Sequence, residues 1–153
     1  MTITIKEKDY RFGCRAGIII YNNEKDKILI ENQGDFYRLP GGRIDFLEES
    51  QTAMKRELEE ELKIDLKTKL KYTLEMIINV KDKKYHEIGF YYTSKIDEEK
   101  IKNNQKSLDY NSYFVWIPIK KLKEYYIIEK PIINEIINNE PNDNLKHLIY
   151  KEK

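Results

Sequence analysis

The sequence predicts a mixed α/β fold of the α+β kind, a sheet packed with helices, and three observations carry that expectation. Apolar runs rich in β-branched and aromatic residues at 12–21 and 113–118 read as buried strands. Two segments, 51–62 and 131–140, have the composition or the spacing of helices. No internal repeat or low-complexity linker divides the 153 residues, so one domain spanning 1–153 is expected.

In chain order, 12–21 is apolar except for Arg15, and Asn22-Asn23-Glu24 supplies a turn into Lys27-Ile28-Leu29-Ile30, which together read as a hairpin. The polar stretch 31–38 leads to Leu39-Pro40-Gly41-Gly42, where proline fixes φ and two glycines open conformations closed to other residues. A tightly shaped loop is expected there. Ser50 offers a hydroxyl N-cap, and 51–62 is rich in Ala, Met, Leu and Glu. Residues 66–80 and 84–95, rich in Tyr, Ile, Thr and Val, flank Lys81-Asp82-Lys83 as a second hairpin, with His86, Ile88, Phe90 and Tyr92 on one face of its second arm. Residues 96–111 read as a polar loop with a short helical turn, 113–118 as a strand and 119–125 as another helical turn. Pro131 suits the first turn of a helix running to about Glu140, whose Ile132, Ile133, Ile136 and Ile137 repeat at helical spacing. Residues 142–153 read as a tail.

Composition narrows the function. A hydrophobic fraction of 40% argues against disorder. The mean hydropathy of −0.75 reflects a heavily charged surface. With a net charge of +1 and both signs intermixed, no global field holds a nucleic-acid backbone. The opening residues lack an apolar leader, and no run of about 18 apolar residues occurs, so neither a signal peptide nor a membrane span is expected. The lone Cys14 excludes an internal disulfide and agrees with a reducing cytoplasm. One Cys with His86 and His147 makes no zinc set, and no loop carries the alternating aspartates of a calcium site.

On a helix each residue advances by about 100°, so Glu57, Glu60 and Glu61 share roughly one third of the circumference, beside an apolar stripe of Met54, Leu58 and Leu62. Glu59 points elsewhere, towards solvent. Like charges at i, i+4 repel, and the Arg56 to Glu60 pair returns only a similar small amount, so the cluster calls for a cation. Oxygen-only ligands suit Mg²⁺, with Mn²⁺ as the alternative, which keep some waters and share positions with substrate phosphates. By itself such a run more often forms a solvated helix face.

The spacing upstream changes that balance. From Gly42, five residues lead to Glu48, seven more to Arg56-Glu57-Leu58, and Glu60-Glu61 and Ile64 close the frame. This resembles the Nudix box, and the lead-in Leu39-Pro40-Gly41-Gly42-Arg43 and the strand at 113–118 are also similar to that family. The resemblance implies an αβα sandwich with a mixed sheet between helices. It also implies a metal-dependent pyrophosphohydrolase that cleaves a nucleoside diphosphate linked to another moiety. Carried over by motif position, Glu57, Glu60 and Glu61 are metal ligands and Glu48 an auxiliary or water-mediated one. Glu60 or Glu61 helps to take the proton of the attacking water, Arg56 orients Glu57 or Glu60, and Gly41 and Gly42 bring backbone close to metal and phosphate. Lys63 departs from the box, which has glycine there, and Leu47 stands where many relatives have glycine; the first is expected to cost about 1 kcal/mol through a positive φ.

Other residues remain open at this level. Arg15 either pairs with a carboxylate or reaches a substrate phosphate. Arg38 and Arg43 flank the glycine loop, where each either contacts phosphate or forms a surface ion pair. His86 and Glu87 sit beside Gly89, whose missing side chain leaves room for a ligand, although a packed strand residue is the plainer reading. The tyrosines offer stacking surfaces, though most of 12 must pack, and Trp116 reads as core. The expected partner is a small nucleotide, with neither a stable nucleic-acid partner nor a membrane, and a homodimer is left open. A Nudix-fold domain that binds nucleotides without turnover is the competing function, and a plain helical interaction protein the third.

Overall fold

A computed structural model describes residues 1–153. Ten strands form one mixed sheet: β1 (Thr4–Glu7), β2 (Tyr10–Tyr21), β3 (Lys27–Asn32), β4 (Tyr37–Arg38), β5 (Gly41–Arg43), β6 (Lys69–Val80), β7 (Lys83–Lys95), β8 (Gln105–Lys106), β9 (Tyr113–Pro118) and β10 (Lys146–Glu152). The main order is β10-β6-β7-β2-β3-β9-β8, with β1, β4 and β5 attached at the side. Helix α1 (Ser50–Leu62) packs on one face and α2 (Lys130–Asn138) on the other. The α+β sandwich expected from the sequence is therefore the observed fold. No helix is long and apolar enough to cross a membrane.

Alternation explains both faces. In β2, Ile18 and Ile20 point into the cluster with Met54 and Leu58 of α1, while Ile19 joins the opposite cluster with Ile132 and Ile133 of α2. A strand covered on both faces reads as a continuous apolar run, which is why 16–20 shows no alternation in sequence.

Three expectations need correction, and one element was not foreseen. Strand β2 touches β3 in register only at Tyr21 and Ile28; its length is taken by parallel pairing with β7 and by β5 near Gly41 to Arg43, so the first hairpin is short. The supposed tail carries β10, which pairs in parallel with β6. Its Leu148 and Tyr150 pack on the α2 side, and their alternation with charged residues hid the strand. Ser50 does not cap α1: Glu49 holds the N-cap position, and the Ser50 hydroxyl is hydrogen-bonded to Tyr92 Oη at 2.6 Å. Thr4–Glu7, to which the sequence assigned no element, adds β1 to β2.

Both departures from the box leave backbone marks. Lys63 takes φ 55° at the C-cap and donates its N–H to Glu59 O at 3.2 Å, as expected. Leu47 takes φ 66° and is fully exposed, so its side chain packs on nothing in return for the strain.

Candidate active site

The site starts from the glycine loop. Strand β5 lies antiparallel on β2, pairing Gly41 with Gly17 and Gly42 with Ala16. A Cβ on Gly41 would meet Ala16 O at 2.2 Å, and one on Gly42 would meet the Glu57 carboxyl carbon at 2.2 Å. Both glycines are thus demanded by clearance: one lets the loop sit on the sheet, the other lets a carboxylate sit on the loop.

Arg56 organises the acids of the box. Its Nε and Nη2 donate to the two oxygens of Glu48 at 2.8 and 3.0 Å, its Nη1 to Glu57 Oε1 at 3.0 Å and Glu60 Oε2 at 3.4 Å, and its Nη2 also to Arg43 O at 3.1 Å. Glu48 is held below the usual carboxylate value, chiefly by the Arg56 hydrogen bond. Because both its oxygens are engaged, Glu48 fixes Arg56 in this geometry. Glu59, as anticipated, points out and meets only Lys63 at 3.6 Å.

The other acids are less satisfied. Glu57 and Glu61 are 4% and 1% exposed, and Oε2 of each has no hydrogen-bond partner. Burial raises both. Arg56 offsets part of the rise at Glu57, while Glu31 and Glu57 add to it at Glu61, which reaches about 9. No three acidic side chains converge closely enough to form a ready-made metal cage. The fit is nevertheless that of a hard divalent cation: buried carboxylate oxygens lacking donors, an all-oxygen set, and a wall at Gly42 free of side chain. A cation there would complete its shell with waters and substrate oxygens, as Mg²⁺ commonly does.

Around these acids lies a cleft of about 450 Å³ lined by Arg15, Gly41, Gly42, Arg43, Arg56, Glu57, Glu60 and Glu61. Arg15, Arg43, Arg56, the two glycines and the helix acids thus line one cleft, and Glu48 stands behind it, whereas Arg38, the other phosphate candidate, does not line it. Arg15, 6% exposed, donates Nη2 to Leu39 O at 3.0 Å and approaches Glu129 at 3.9 Å, while its Nε has no acceptor. Arg43 donates to Thr4 Oγ1 at 2.8 Å, which is no ion pair. Arg38 is not a surface ion pair with a free guanidinium: half-buried, it is engaged by Glu87 at 3.1 Å and Glu129 at 3.2 Å. Gly89 admits the Tyr91 ring rather than a ligand, since a Cβ there would lie 2.5 Å from it. His86 stacks edge-on against Phe12.

Sequence reasoning missed Glu31, Tyr110 and Ser112. Glu31 is buried beside the cleft and accepts from Ser112 Oγ at 2.7 Å. Leu108 N–H donates to Glu61 O at 3.0 Å, so the segment 107–112 closes over the end of α1, and Tyr110 lines the cleft. All three lie outside the 23-residue frame, Glu31 on β3 and the other two in the segment 107–112, with no spacing rule to reveal them.

A mixed sheet between helices, with a carboxylate cleft between α1 and the glycine strand β5, can be compared with known proteins. The NUDIX domain profile matches residues 12–136. Among solved structures, the MutT protein of Bacillus halodurans superposes with a TM-score of 0.68 at 19% identity, covering 91% of this chain and 90% of that one. The MutT NUDIX hydrolase of Burkholderia pseudomallei gives 0.63 at 20%, covering 83% and 98%. The E. coli dihydroneopterin triphosphate pyrophosphohydrolase gives 0.63 at 15%, covering 82% and 96%. At such identities these likenesses speak for the fold. Among curated protein sequences none matches significantly. The chain belongs to the Nudix family, and by class it is a pyrophosphohydrolase. Nudix enzymes generally use divalent metal ions.

Proposed function

We propose that this protein is a Mg²⁺-dependent hydrolase, with Mn²⁺ as an alternative, that cleaves the pyrophosphate bond of a nucleoside diphosphate linked to another moiety. The observation that carries this reading is the pair of buried, unpartnered carboxylate oxygens on Glu57 and Glu61, set against a glycine wall. Acids left so in a fold need either a proton or a cation.

Glu57, Glu60 and Glu61 would hold the cation, and Glu48 contributes through Arg56 rather than by a free oxygen. The cation supplies neutralising charge for the phosphate oxygens and makes the attacking water more acidic. Glu60 or Glu61 accepts the proton from that water as its oxygen bonds to phosphorus; the bridging P–O bond breaks, and two phosphate monoesters leave. Arg56 keeps Glu57 from rotating away. Arg15 and Arg43, with the backbone of Gly41 and Gly42, bind the phosphates. The rest of the substrate extends past Arg43 into a neighbouring cavity of about 620 Å³, where Phe36, Tyr85 and Tyr126 offer stacking faces and Lys84 and Lys130 positive charge. Residues 1–153 act as one domain, in the cytoplasm.

A screen over nucleoside diphosphate derivatives with Mg²⁺, in which a coupled phosphomonoesterase converts the monoester products to free phosphate, run beside Glu60→Gln and Glu61→Gln, tests this. We expect metal-dependent product from the wild type and little from either variant. No turnover across the panel, or variants equal to wild type, defeats the reading. Nucleotide affinity without product would favour the binding-domain alternative.

A further inference from the structure

Behind the cleft lies a second group of charges that the mechanism does not use. Glu129, fully buried at the start of α2, accepts from Leu39 N–H at 3.1 Å through Oε1, and from Arg38 Nε at 3.2 Å and Tyr91 Oη at 3.0 Å through Oε2. The other end of the same residue is held as well, since Leu39 O accepts from Arg15 at 3.0 Å. Leu39 is thus gripped through both its backbone polar groups, directly before Pro40, Gly41 and Gly42. The sheet is shaped to deliver this grip: a Cβ at Gly17 or at Gly89 would lie 2.5 Å from the Tyr91 ring, so the two glycines make room for the ring that aims its hydroxyl at Glu129. We propose that Glu129 is a positioning residue for hydrolysis, fixing the Leu39–Gly42 turn and, through it, the wall against which Glu57 sits. The proposal rests on the hydrolytic reading above. Misplacing such a wall by a fraction of an ångström lowers the rate without abolishing binding.

The test contrasts Glu129→Gln with Glu87→Gln. Each removes one of the two carboxylates that hold Arg38, but Glu87 touches Arg38 and Tyr85, not the loop. In Glu129→Gln the guanidinium claims the amide oxygen, leaving the NH₂ group against the Leu39 donor. Leu39 amide exchange is expected to quicken about tenfold in Glu129→Gln, the effect of one lost hydrogen bond, and to stay near wild type in Glu87→Gln relative to global stability. We expect kcat to fall about tenfold or more in Glu129→Gln, with KM within about twofold, and to hold in Glu87→Gln. Should Glu129→Gln not fold, Tyr91→Phe removes one donor to Glu129 and should give a smaller change of the same sign, about threefold in each readout. Unchanged Leu39 exchange, or an equal loss of kcat in Glu87→Gln, overturns the proposal. If the wild type hydrolyses nothing, the functional reading falls, while Leu39 exchange still decides whether Glu129 fixes the loop.

Discussion

Two pairs of buried acids flank the Leu39–Gly42 turn, and they are built in opposite ways. Glu87 and Glu129 are 4% and 0% exposed; Glu57 and Glu61 are 4% and 1% exposed. Burial alone therefore does not separate them. Burial pushes Glu87 up, but Arg38 and Arg15 outweigh it and hold its carboxyl below the usual range. At Glu57 burial prevails over Arg56, and at Glu61 further acids add to it. The first pair is provided with donors by its own fold. The second is left short of positive charge, the condition on which the proposed cation site rests.

The largest effect should come from breaking the satisfied pair. Arg38→Met strands two buried carboxylates and is expected to cost about 3–5 kcal/mol in chemical denaturation. A loss under about 1 kcal/mol would erase the contrast between the two groups. Glu57→Gln should do the reverse: stability near or above wild type, with hydrolysis reduced at least about 100-fold in a metal-supplemented assay.

The pH response sharpens the comparison. Folded Glu61 holds its proton to about pH 9, against an ordinary value of 4.5 when unfolded. Between those values the native state binds the extra proton, so this group makes the metal-free protein less stable as pH rises from about 4.5 towards 9. Glu61→Gln removes that loss: a gain on the order of a few kcal/mol at pH 8, shrinking to nothing near pH 4. Glu87 runs the other way, contributing stability above 4.5 that is lost as pH falls through its lower folded value.

The smallest effects lie in the backbone. Lys63→Gly and Leu47→Gly should each add about 1 kcal/mol or less in thermal unfolding, because both residues occupy positive φ and neither makes a packing contact that glycine would lose.

The two groups also differed in how far the sequence revealed them. Glu57, Glu60 and Glu61 lie within one helical turn, so local periodicity was enough to put them on one face, and the frame from Gly42 tied them to the glycine loop. Glu129 and Glu87 meet Arg38 across long stretches of chain and from different elements, so nothing near any of them in sequence announces the contact. For the same reason Arg15 stayed ambiguous: its carbonyl partner Leu39 and its carboxylate neighbour Glu129 arrive from a loop and from α2. The covered strand β2 and helix α1 were legible from composition, whereas β10 was not, because a charged edge strand that contributes only Leu148 and Tyr150 to the core resembles a solvated tail.

The central claim, that the unsatisfied acids form a divalent-cation site, is tested most directly by melting the protein during a Mg²⁺ titration. The wild type should gain stability in proportion to ligand occupancy, about 2.7 kcal/mol when Mg²⁺ exceeds its Kd a hundredfold, while Glu57→Gln and Glu61→Gln, compared with their own metal-free melts, should gain much less. A wild type indifferent to Mg²⁺, or variants that gain as much as it does, would contradict the account.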